Sequence, residues 1–465
     1  MGRGDRRVQR RDGRAGARLS GSRLVCAGCG AEPAPGEPYP FRCPNARDGG
    51  DVDHVLRREL DGLSFPTGDD VDPFVRYRTL LHAYHAGLAD EDFVALVRRL
   101  DGRVAAVDGH GFAVTPFFRS DALSDELGFS AEGGAWVKDE TGNVSGSHKA
   151  RHLFGVLVWL EVADRLGLTG GERRDLAIAS CGNAALAAAV VAAAGERRLR
   201  VFVPVDAEAP VLARLEQLGA EVVVCKREPG VAGDPTVGAL MRALDEGALP
   251  FTCQGNLNGL AVEGGYTLGW ELAASGVALD RVVVQVGGGA LASAVAAGLR
   301  EAGAAPRLDT VQTRGAWPLR RAYDAVVARG GAAPLDYATR HRHEFMWPWE
   351  QEPHSVAHGI LDDETYDWVA TVEAMLATGG EPLVVGEQAL IDANELGRRT
   401  TGIAADATGT AGLAGLLALR ESGSVGDDER VAVLFTGVDR TTDKGARDAE
   451  LFREGHPLAE GIRAN

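Results

Sequence analysis

The sequence predicts an α/β protein: two open, mainly parallel, twisted sheets flanked by helices, preceded by a cysteine-knuckle extension. Three observations carry that expectation. Short apolar runs (Leu176–Ala179, Leu199–Val203, Glu221–Cys225, Arg281–Val286, Val431–Phe435) alternate with helical-period segments, the pattern of repeated βα units. Glycine-rich or small polar turns stand at the ends of several of these runs, at Ser180–Asn183, Gly287–Gly289 and Thr436-Gly437. Such turns let backbone N–H groups converge on an anion at a helix N-terminus. The 465 residues are 45% apolar and 25% charged, which suits a globular protein with ample core for two or three domains.

In chain order, residues 1–20 are rich in Arg and Gly with almost no apolar residue, and read as a disordered tail. Residues 21–60 hold two cysteine knuckles, Cys26-x-x-Cys29-Gly and Cys43-Pro. Residues 61–110 read as a helical extension, with Tyr77, Leu80, Leu81, Tyr84, then Phe93, Leu96, Val97 and Leu100 at three- and four-residue steps. Residues 111–149 and 263–465 read as a larger domain, and 150–262 as a smaller βα domain between its two parts. An insert at 314–362 is rich in His and Trp; it reads either as a cover over the active site or as a packed surface segment.

The stretch Trp136–Arg151 reads as strand, polar glycine-containing loop, then helix, with Lys149 just inside the helix. Alone, such a lysine is either a solvated surface amine or a tethered amine that does chemistry. Together with Ser180–Ala184, Gly287–Leu291 and Phe435-Thr436-Gly437, in that order, it resembles the fold type II enzymes of pyridoxal phosphate, the tryptophan synthase β and threonine synthase group. The resemblance covers roughly residues 110–445. It implies that Lys149 carries the cofactor and, once freed, acts as general base. It also implies His148 against the cofactor phosphate or ring, and Asn183 on its 3-hydroxyl. Gly287, Gly288, Gly289, Ala290 and Leu291 would hold the phosphate, and Thr436 would face the pyridine nitrogen. Substrate contacts are expected from Ser145, Ser180, Cys181, Gly182 and Arg151. A neutral Thr436 leaves that nitrogen unprotonated, which favours loss of a leaving group over racemisation or transamination.

The knuckles resemble the small metal ribbon that precedes the catalytic domains of some threonine synthase relatives. Such a ribbon takes four tetrahedral ligands. Here the expected fourth cysteine is Ala46, and His54 is the nearest substitute, so the set would be Cys26, Cys29, Cys43 and His54. A structural zinc and a degenerate ribbon with free thiols both stand. The segment Ala150-Arg151 departs from the threonine synthase pattern, and Ser180-Cys181-Gly182-Asn183 departs from that of tryptophan synthase β.

The net charge of −17 argues against a nucleic-acid surface. No run of about 18 apolar residues marks a membrane span. The start lacks an apolar h-region, and six cysteines make no disulfide scaffold in a chain this long, so a cytoplasmic protein is expected. A homodimer is the expected assembly and a small amino acid the expected substrate. The first functional expectation is threonine synthase-like: γ-phosphate elimination from O-phosphohomoserine, then water addition at Cβ. The alternative is a β-eliminating or β-replacing enzyme of the serine/threonine dehydratase, cysteate/cysteine synthase or diaminopropionate lyase type. A pyridoxal-phosphate-binding pseudoenzyme is the third.

Overall fold

A computed structural model describes residues 21–440 apart from 48, 63, 228–233 and 332; the expected N-terminal tail lies outside the described residues. Twelve strands among these residues form three sheets. Strands β1 (Ser22–Cys26) and β2 (Leu56–Leu60) pair antiparallel and carry the knuckles. Next come β3 (Phe117–Arg119), β4 (Gly134–Asp139), β5 (Leu176–Ala179), β6 (Leu199–Pro204), β7 (Glu221–Cys225) and β8 (Leu249–Pro250). The last four are β9 (Arg281–Gln285), β10 (Arg307–Thr313), β11 (Pro382–Val385) and β12 (Arg430–Phe435).

The largest sheet runs β11-β10-β9-β12-β4-β3, parallel throughout except for the edge strand β3. Both faces of its centre are covered, so β9 reads as a continuous apolar run. Val282 and Val284 pack on one face with Leu268, Val295 and Val372, and Val283 packs on the other with Leu413 and Val431. The second sheet, β7-β6-β5-β8, is all parallel and lies between β4 and β9 in sequence. The long helices Lys149–Arg165 and Gly259–Ala274 connect the two sheets and pack closely, because Gly155 and Gly264 let the backbones meet.

The region 61–110 is less regular than its periodicity suggests. Only Pro73–Arg76 and Asp90–Asp108 are α-helical; Arg78–Leu80 and His82–Ala86 are 3₁₀ turns. Leu81 between them is extended, and Gly87 is left-handed with φ +113, which stops propagation. Tyr77, Leu80 and Leu81 are nonetheless buried, so the apolar spacing marks burial here without a continuous helix.

The topology decides where chemistry can gather. The loops after β4, β12 and β9 leave the C-terminal ends of three adjacent parallel strands, and the turn after β5 leaves the same end of the neighbouring sheet. Open parallel sheets bind ligands at such ends.

Candidate active site

The lysine loop is stitched to the loop after β12. Ser147 bridges Gly437, Val438 N–H donates to Gly146 O at 2.9 Å, and His148 N–H donates to Thr436 O at 3.2 Å. Ser145 is left-handed (φ 57) and its N–H donates to Asp108 at 2.7 Å. This bend delivers Lys149 to the first turn of its helix. His148 is buried, and burial, then the Lys149 charge, holds its pKa well below the ordinary value. Its Nδ1 faces Thr436 O at 3.2 Å and so carries the proton, leaving a bare Nε2. That Nε2 and the hydroxyls of Ser145 and Ser147 are buried without a hydrogen-bond partner among the described residues. Orphaned polar atoms of this kind call for a ligand.

Thr436 is buried, and its hydroxyl oxygen accepts from Gln285 Nε2 at 2.7 Å. The carbonyls of Thr408, Gly409 and Leu434 also lie within hydrogen-bond reach of Gln285 Nε2. With one lone pair taken by Gln285, the Thr436 O–H is free to donate to an acceptor such as an unprotonated ring nitrogen. Asp439, next but two to Thr436, does not compete: its carboxylate pairs with Arg398 and its N–H donates to Ala404 O. Asn183 opens the helix Asn183–Ala194; its Oδ1 accepts from Arg440 at 3.1 Å, and its amide nitrogen lies beside Gly437. Ser180 is half-buried at the end of β5, while Cys181 and Gly182 are exposed at the mouth.

The glycine turn sits between β9 and the helix Ala290–Glu301, with Gly289 left-handed at φ 93; Ala290 and Leu291 are buried in the first turn. Gly287 O accepts from Thr365 Oγ1 and Gly288 O from Asp367 N–H, both at 2.9 Å. Because peptide N–H and C=O point oppositely, the Gly288 and Gly289 amides face away from those partners. Gly288 N–H meets the Asp362 carboxylate, which also lies near Lys149. A Cβ at Gly287 would stand 2.2 Å from Asp362 Oδ2. The turn therefore already meets a carboxyl group. Burial pushes the Asp362 pKa up and that of the neighbouring Asp367 to about 7.

Arg151, expected at the substrate, is turned elsewhere. It is fully buried, and all its N–H groups are taken by Glu140, Glu271, Thr267 and Thr115. Lys138 pairs with Glu271 in the same cluster, so two cations balance two carboxylates. No donor is left for a substrate, and the residue anchors the helix that carries Lys149.

Asp362, Gln285, Asp406 and Arg440 were missed in the sequence. Gln285 had a signal, a polar residue closing an otherwise buried strand. Asp406 faces Gly437 and accepts from Gly409 N–H at 2.5 Å, with its pKa pushed up to about 6 by burial. Asp362 lay at the end of an insert singled out for His and Trp. Its last residues, Ile360 and Asp362, and the following Thr365, Tyr366 and Asp367 lie against the glycine turn. His341 stacks on Tyr337 and His343 pairs with Asp51; neither joins a metal-ligand cluster among the described residues.

The profile of a family described as pyridoxal-phosphate dependent enzyme matches residues 110–437. The chain belongs to that family. This pyridoxal-phosphate enzyme is 26% identical over 328 residues to a threonine synthase of Methanocaldococcus jannaschii, spanning 70% of this chain and 74% of the relative. A threonine synthase of Methanosarcina acetivorans is also 26% identical, over 334 residues, 70% of this chain and 74% of that one. Among solved structures, maize serine racemase superposes with a TM-score of 0.56 at 18% identity, covering 78% of this chain and 98% of that one. Diaminopropionate ammonia lyase from Escherichia coli gives 0.57 at 18% identity, covering 79% and 94%. These likenesses establish the fold, and the family makes the chain a pyridoxal-phosphate-dependent enzyme.

The knuckles converge as well. Ligand atoms of Cys26, Cys29, Cys43 and His54 lie within 4.8 Å of one another. Cys29 Sγ to Cys43 Sγ is 3.6 Å and Cys26 Sγ to His54 Nδ1 is 3.4 Å. A tetrahedral zinc with ordinary bond lengths needs edges of about 3.8 and 3.6 Å. The donor set suits zinc in chemistry, and these two separations lie close to those edges. No helix among the described residues is long and apolar enough to cross a membrane.

Proposed function

We propose that the enzyme converts O-phosphohomoserine and water to threonine and phosphate, with the cofactor on Lys149 and a structural zinc in the knuckle. The observation that carries the reading is the Thr436 hydroxyl set by Gln285 as a donor beside Asn183, taken with the threonine synthase relatives. When bound, pyridoxal phosphate supplies the electron sink for charge developing at Cα. Gly288 and Gly289 would hold its phosphate, Asn183 its 3-hydroxyl and Thr436 its ring nitrogen. The freed Lys149 amine takes the proton from substrate Cα and then one from Cβ. Phosphate leaves from Cγ with the C–O electron pair. A water hydroxyl then adds at Cβ, and protons return to Cγ and Cα. Ser180, Gly182 and Asn183 receive the α-carboxylate at a helix N-terminus.

One observation favours the β-route as the second reading. Arg151, the guanidinium best suited to a phosphate, is consumed in its ion cluster, while Asp362 and Asp406 bring carboxylates to the site. A neutral or cationic side chain, as in serine or diaminopropionate, suits that environment better. The test offers O-phosphohomoserine, serine, threonine and diaminopropionate separately and follows phosphate, ammonia and keto acid. Threonine with phosphate from the first compound is expected. Keto acid from the others, with the phosphate ester inert, overturns the γ-route in favour of the β-route.

A further inference from the structure

The cysteine knuckle and the glycine turn are joined by one short path of hydrogen bonds through Asp53. The ligand-bearing segment 51–54 docks on the insert: Asp53 N–H donates to Thr339 O and Arg342 N–H to Asp51 O, both at 2.8 Å. Gly28, inside the first knuckle, presses on Asp53 so closely that a Cβ there would stand 2.2 Å from Asp53 O. The Asp53 side chain is buried, and its Oδ1 accepts from both Arg342 Nε and Trp368 Nε1 at 3.3 Å. Arg342 reaches on to Glu364 at 2.5 Å. Trp368 opens the helix Trp368–Thr378 directly after Asp367. Asp367 N–H and Thr365 Oγ1 are the groups that hold the carbonyls of Gly288 and Gly287. By peptide geometry, those two bonds aim the Gly288 and Gly289 N–H groups.

We propose that Asp53 is a positioning residue through which metal in the Cys26/Cys29/Cys43/His54 site sets the shape, and hence the cofactor affinity, of the glycine turn. The inference rests on the proposed seat of pyridoxal phosphate at Gly288–Gly289. Zinc fixes His54, and with it the backbone of Asp53 one residue away. Asp53 then fixes Trp368 and Arg342, which bracket the 364–368 segment. Loss of zinc frees the first link and leaves the carbonyl clamps on Gly287 and Gly288 without their support. Coupling between two sites linked in this way is reciprocal, so bound cofactor also tightens zinc.

The test uses the full-length chain stripped of cofactor. Pyridoxal phosphate is titrated into zinc-loaded, zinc-stripped, Asp53→Ala and Asp53→Asn protein, and the Lys149-dependent absorbance gives Kd. Zinc content is measured in parallel. The expected result is a Kd raised about tenfold in zinc-stripped protein and in Asp53→Ala that still holds zinc, with Asp53→Asn near wild type because its carbonyl still accepts from Trp368. Leu100→Ala, a core change off the path, lowers thermal stability and leaves Kd alone. Should Asp53→Ala not fold, hydrogen exchange across 286–291 in wild type decides, with faster exchange expected on zinc removal. Equal Kd and equal exchange with and without zinc overturn the coupling. Absence of any Lys149-dependent band in the zinc-loaded wild type overturns the cofactor seat, and the coupling with it.

Discussion

Replacing Arg151 separates a structural anchor from a substrate contact. Its guanidinium, with Lys138, balances Glu140 and Glu271 in a cluster shielded from water. In Arg151→Ala one cation remains for two buried carboxylates. Removing one partner of a buried pair costs about 3–5 kcal/mol, because the charge left behind is neither solvated nor paired. For a chain this long, that is a fall in Tm of about 3–5 °C. Arg151→Met with Glu140→Gln removes one charge of each sign. Residues in direct contact couple by about 0.5–3 kcal/mol, so the double variant recovers stability relative to Arg151→Met alone. The assay is thermal unfolding of wild type, Arg151→Ala, Arg151→Met, Glu140→Gln and the double variant at one scan rate, with KM and kcat measured below the lowest Tm. Unchanged Tm in Arg151→Ala with a raised KM would refute the anchor and restore Arg151 to the substrate. Strict additivity in the cycle would refute the cluster.

Two further changes test other parts of the account. Gly287→Ala places a methyl 2.2 Å from Asp362 Oδ2 and 2.9 Å from Ile360 Cα; cofactor affinity should fall at least tenfold while thermal stability moves by only about 1–3 kcal/mol, as read by titration and unfolding. Asp72 is a buried N-cap whose pKa burial pushes up to about 7, and its Oδ1 accepts from Phe74 N–H. The folded state therefore keeps a proton that the unfolded chain releases near pH 4, so the stability from this group is lost as pH rises from about 4 to 7. Asp72→Asn retains the cap and should gain on wild type across that window, by at most a few kcal/mol; a pH-independent difference would contradict the burial argument.

Much of this arrangement was legible because parallel strands and their turns have strong local signatures. The buried run Arg281–Gln285 and the triplet Gly287–Gly289 mark their own strand and turn, and the same holds for Val431–Phe435 with Thr436. The convergence of Cys26, Cys29, Cys43 and His54 was also legible. What was hidden depends on contacts distant in sequence. Arg151 stands two residues from Lys149, but helix geometry turns it away from the site, and Glu271, 120 residues on, claims it. Asp362 meets the glycine turn from a segment far along the chain, a pairing no local pattern announces. The segment Tyr77–Tyr84 misled for another reason: burial imposes helical spacing on side chains even where the backbone breaks at Leu81.

The central claim is that Lys149 carries pyridoxal phosphate in a site completed by Asn183, Thr436 and the glycine turn. Borohydride reduction of the cofactor-loaded protein, followed by peptide mass spectrometry, tests it most directly. One reduced phosphopyridoxyl group on the peptide containing Lys149, absent from Lys149→Ala, is the predicted result. Label spread over other lysines, or retained in Lys149→Ala, would contradict it.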